Sequence, residues 1–62
     1  MKINIMGNDL ELNKKGNFQL AINYLMTRGK INLDKGKEKE AGRYLDKAFE
    51  VELEFKKFLV KK

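Results

Sequence analysis

The sequence predicts an α+β domain, ββαα in order, and three observations carry that prediction. The first thirteen residues alternate apolar and polar around a Gly-Asn pair. From Phe18 onward the apolar residues recur three and four apart, the spacing of a helix face. Asp34 and Gly36 then interrupt that pattern once, dividing it in two. One domain over 1–62 is expected, with a β-hairpin over 1–13 and a helical hairpin over 17–62.

The hairpin follows from the alternation. Ile3 and Ile5 alternate with Lys2 and Asn4, and Leu10 and Leu12 with Glu11 and Asn13. A two-residue loop at Gly7-Asn8 sets Ile5 opposite Leu10 and Ile3 opposite Leu12, both apolar pairs on one face. Met6 then faces Asp9, and Asn4 faces Glu11. A lone two-stranded hairpin is not stable in water, so its apolar face must rest on the helices or on another chain.

The first helix is expected over about residues 18–33, with Asn17 as its N-cap. Phe18, Ala21, Ile22, Leu25, Met26 and Leu33 share one side, while Leu20, Tyr24 and Ile31 lie nearly opposite. A helix apolar on two sides is sandwiched. The second helix is expected over about residues 35–60 with Asp34 as N-cap. Ala41, Tyr44, Ala48, Val51, Phe55 and Phe58 keep a 3-4-3-4 spacing, the seam of a packed helix pair, and Leu45 and Leu59 widen it. Glu38 and Glu40 near its start, and Lys56, Lys57, Lys61 and Lys62 at its end, complement the helix dipole.

Composition narrows the chemistry. The 62 residues include no Cys and no His, so disulfides and the usual zinc sites are excluded as supports. Ser and Trp are also absent and Thr27 is the single threonine, so neither a serine nor a cysteine nucleophile with a histidine base can be assembled. No phosphate loop is present, since Gly29 and Gly36 have the wrong spacing for one. Asp46, Glu50 and Glu54 form an acidic stripe, but Arg43, Lys47, Lys57 and Lys61 share its sector and mark it as a solvated face. The chain is expected to be no enzyme, with no cofactor and no metal. Its apolar runs are far too short to span a bilayer, and no signal-like segment opens the chain. A complete, cytoplasmic gene product without membrane attachment is expected.

Two surface features remain. The net charge is +5, with basic residues at Lys56, Lys57, Lys61 and Lys62 and around the interhelical turn at Lys35 and Lys37. These are the candidate contacts to a nucleic-acid backbone. No aromatic lies among the turn lysines to stack bases, and acidic side chains interrupt that cluster. The second feature is an apolar excess. Phe49, Leu53 and Val60 add a stripe about 100° round the second helix from its seam, more than one neighbouring helix covers. With Leu20, Tyr24 and Ile31 of the first helix they are the candidate protein interface.

Gly29, Gly36 at the turn, and Ala41, Leu45 and Ala48 beyond it form a run over about residues 22–55 that resembles a single tetratricopeptide repeat. Arg28, Asn32, Glu38 and Leu53 depart from that family's pattern, and the N-terminal strands have no place in it. The resemblance implies an antiparallel helical hairpin used for protein binding. The expected function is a small non-enzymatic protein-interaction module that self-associates, a dimer being favoured, and acts as a regulator or inhibitor docked on a larger protein. The alternative is a small basic protein that binds nucleic acid through phosphate contacts.

Overall fold

The computed structural model describes residues 1–61. Strands β1 (Lys2–Ile5) and β2 (Asn8–Glu11) form an antiparallel hairpin, followed by helices α1 (Lys15–Asp34) and α2 (Glu38–Val60). The architecture is the expected ββαα arrangement, with the second helix the longer.

The hairpin register differs from the expected one. Ile3 pairs with Leu10, Asn4 with Asp9 and Ile5 with Asn8, so the loop is Met6-Gly7 rather than Gly7-Asn8. Both loop residues have positive φ, 52° at Met6 and 82° at Gly7. That is the signature of a type I′ turn, whose twist matches the strands and which favours glycine in its second position. The partner of each β1 residue moves by two, so every side chain keeps its face. Leu12 falls just beyond β2, where its N–H donates to the Met1 carbonyl at 2.8 Å, and it remains buried beside Ile3. The Asn4 carboxamide oxygen accepts the Gly7 N–H at 3.2 Å and braces the turn.

Helix α1 starts earlier than expected, with Lys14 as N-cap and no side-chain cap bond. Asn17 is therefore not the cap. Its Nδ2 donates to the Glu11 carbonyl at 2.8 Å, tying the first turn of α1 to the end of β2. Asp34 closes α1 instead of capping α2, whose N-cap is Lys37. Between them Gly36, at φ 77°, sits just past the helix end. The Lys37 N–H reaches the Asn32 carbonyl at 2.8 Å and the Gly36 N–H the Leu33 carbonyl at 3.0 Å, the two bonds of a Schellman ending. This tight stop turns the chain straight back, so α2 returns antiparallel along α1.

The core runs along that seam. Ile3 and Leu12 from the hairpin, Phe18, Ala21 and Leu25 from α1, and Ala48 and Val51 from α2 form one buried cluster. Phe55 and Phe58 close its far end, each with its ring centroid 5.1 Å from that of Phe18. At the other end Gly29 lets the helices approach closely. A Cβ placed there would stand 2.8 Å from Leu45 Cδ2.

Candidate interaction surfaces

The expected protein-interface residues do not come together as one patch. Tyr24 is half-buried and packs against the core. Leu20 and Ile31 are exposed, but lie about 140–180° round α1 from Phe18 and Gly29, on the flank turned away from α2. Val60 is 84% exposed at the end of α2, beside the aliphatic stems of Lys56, Lys57 and Lys61. Phe49 and Leu53 are exposed as expected, Phe49 at 63%.

What does assemble around Phe49 and Leu53 includes residues assigned from the sequence to the buried seam. Met26 and Leu33 of α1 are about half exposed, and with Leu45 of α2 they line a shallow trough across the two helices. Leu45, Phe49 and Leu53 follow at four-residue steps, a continuous ridge along α2. The five side chains occupy the face of the helical hairpin opposite the strands. Lys47, which borders β1, lies about 160° round α2 from Phe49. The hairpin packs on α1 at one side of the helix pair and leaves this face open.

The open face has a consequence for total area. The chain exposes 4834 Å². A compact monomer of 7.3 kDa exposes roughly 4,200 Å². The Cα envelope measures 41 × 22 × 14 Å, so the shortest dimension has no depth for a third layer.

The cationic residues also separate. Lys35 and Lys37 stand at the interhelical turn, while Lys56, Lys57 and Lys61 stand at the far end of α2, about 30 Å away along a helix rising 1.5 Å per residue. Lys62 lies outside the described residues. Lys57 pairs with Glu54 at 3.5 Å and Lys47 with Glu50 at 3.7 Å, which engages two of the three acids in the stripe along α2. Among the described residues no three acidic side chains converge on a point that could hold a metal ion. No helix among them is long and apolar enough to cross a membrane.

A second concavity lies on the strand side, between β1 and the first half of α2. Lys2, Ile3 and Asn4 form one bank; Glu40, Arg43 and Lys47 form the other; Leu25 and Tyr44 are the floor. No protein-family model, no curated protein and no solved structure matches the chain.

Proposed function

We propose that the chain is a non-enzymatic protein-interaction module that self-associates through the open face of its helical hairpin, and that it serves as a small regulator or inhibitor docked on a larger protein. The observation that carries this reading is the contiguous exposure of Met26, Leu33, Leu45, Phe49 and Leu53. Contiguous apolar surface of this kind marks interaction sites on soluble chains. The implied antiparallel helical pair of the tetratricopeptide resemblance points to the same class of function.

The spacing on α2 favours a second copy as occupant. An isologous pair about a two-fold axis at Phe49 stacks the two Phe49 rings and sets Leu45 of each copy against Leu53 of the other. Gly42 lies on the same side as Phe49, where its missing side chain admits a closely packed helix. Glu38 and Lys56 lie eighteen residues and five full turns apart on that face. About the axis at Phe49, Glu38 of one copy falls opposite Val60 of the other, one turn from Lys56. Four helices then enclose the open faces, with the strands outermost on each side.

Sedimentation equilibrium tests the proposal. The wild type is expected to be dimeric at tens of micromolar, about 15 kDa from a chain of 7.3 kDa. Phe49→Glu with Leu53→Lys is expected to sediment as a monomer while retaining most of its helical circular dichroism. A wild type that is monomeric at high micromolar concentration overturns self-association. The nucleic-acid alternative gains only if the chain binds duplex tightly at physiological salt, because scattered phosphate contacts lose affinity steeply as salt rises.

A further inference from the structure

The groove between β1 and α2 combines an open strand edge, an apolar floor and a basic rim. In an antiparallel pair, residues alternate between positions that exchange backbone bonds with the partner strand and positions whose N–H and C=O face outward. The bond from the Leu12 N–H to the Met1 carbonyl fixes the phase of that alternation. Ile3 and Ile5 are then the bonded positions, and Lys2 and Asn4 direct their N–H and C=O away from β2. Among the described residues no backbone group bonds to them from outside the hairpin. The corresponding edge of β2 is partly used, since the Glu11 carbonyl accepts from Asn17. The free edge is therefore on β1, and it opens into the groove.

The groove has the dimensions and lining for one more strand. Its volume is about 500 Å³, enough for a few residues of extended chain and too little for a folded element. Side chains on one face of an added strand would lie over Leu25 and Tyr44, and those on the other would face outward. Charge selects the sequence of that strand. Lys2, Arg43 and Lys47 border the groove against a single acid, Glu40. Neither Lys2 nor Arg43 has an acidic partner within 4 Å among the described residues. A second copy of β1 would bring another Lys2 into this basic rim, so the charge disfavours pairing between copies here.

We infer that this groove binds an extended acidic peptide segment of a partner protein, which adds to β1 as a third strand through the backbone of Lys2 and Asn4. The recognition mode is strand addition: main-chain bonds supply affinity and alternate side-chain positions supply selectivity. The site lies on the face opposite Phe49, so it stands independently of self-association and leaves the dimer face free.

The test uses the full chain, ¹⁵N-labelled, titrated with an acetylated and amidated hexapeptide of alternating glutamate and valine. Saturable amide shifts at Lys2, Asn4, Arg43, Tyr44 and Lys47 are expected, with slowed hydrogen exchange at the Lys2 and Asn4 amides. Arg43→Glu with Lys47→Glu should weaken binding at least tenfold while leaving the spectrum of the remaining core unchanged. The same peptide N-methylated at alternate residues should lose binding in one of its two methylation phases and retain it in the other. Equal affinity for the lysine–valine counterpart overturns the inference. So does a response centred on Met26, Leu45 and Phe49, or the absence of saturation at millimolar peptide.

Discussion

Met6 holds a backbone conformation that suits its residue type poorly. At φ 52° it lies in the left-handed region, where a side chain other than Gly, Asn or Asp is uncommon and costs about 1 kcal/mol or more. Its side chain is exposed, so packing does not compensate. The hairpin accepts this because Gly7 then occupies the favoured second position of a type I′ turn, and Leu12 can reach Met1 and stay buried. Met6→Asn is expected to stabilise the chain by about 1 kcal/mol without altering the register, read as a higher urea midpoint at unchanged slope. A destabilised variant would mean that the loop is elsewhere. This position also shows where sequence reasoning reached its limit. Alternation fixed which face each residue takes, because a two-residue slip leaves faces intact. It could not choose between Gly as the first or second loop residue, and both are favoured turn chemistries. Asn17 illustrates the same ambiguity, since a carboxamide near a helix start can cap it or reach back to a strand, and here it lies in the first turn and reaches back.

At the scale of elements, helix periodicity was legible and its partition between buried and open faces was only half so. Tyr44, Ala48, Val51, Phe55 and Phe58 of the seam join the core cluster shared with α1 and the hairpin, as their spacing requires. Met26 and Leu33 share a side with Phe18 and Leu25, yet they sit about 80° and 60° round α1 from Phe18 and emerge on the open face. How far an apolar stripe is covered depends on where the neighbouring helix crosses. No local pattern encodes that crossing; Gly29 does, and its meaning appears only with Leu45 seated against it. A methyl at residue 29 must displace the Leu45 side chain at both Cγ and Cδ2, which stand 3.0 and 2.8 Å from it. Gly29→Ala is therefore expected to destabilise by about 1 kcal/mol, although alanine is the better helix former by a similar amount. In a Leu45→Ala background the clash is gone and the same substitution should stabilise by up to about 1 kcal/mol. A double-mutant cycle by urea unfolding, run in Phe49→Glu chains to keep them monomeric, measures the coupling. Additive effects would show that Gly29 has no part in setting the approach of the helices.

At the scale of the whole molecule, a chain of 62 residues without cysteine or histidine has few ways to add stability beyond its own small core. Chain length and composition made that shortage legible, and the open face is where the fold leaves it unresolved. Burying Met26, Leu33, Leu45, Phe49 and Leu53 against a second copy couples folding to association, and mass action then makes stability depend on protein concentration. For a dimer that unfolds to monomers, each tenfold rise in concentration adds about 1.4 kcal/mol per dimer, or half of that per chain. In a domain of this size that corresponds to a Tm increase of about 3–6 °C per decade of concentration. Wild-type protein scanned at 5, 50 and 500 µM should show that slope, reversibly and independently of scan rate. Phe49→Glu should melt at a lower and constant temperature across the same range, because the buried ring has been replaced by a charge that cannot enter the interface without a partner. If the proposed pairing rests on apolar contact and not on exposed ion pairs, raising the salt to 1 M should leave the wild-type slope in place. A wild-type Tm that does not move with concentration would show instead that the monomer tolerates its open face, and the pairing of Phe49 with its own copy would have to be abandoned.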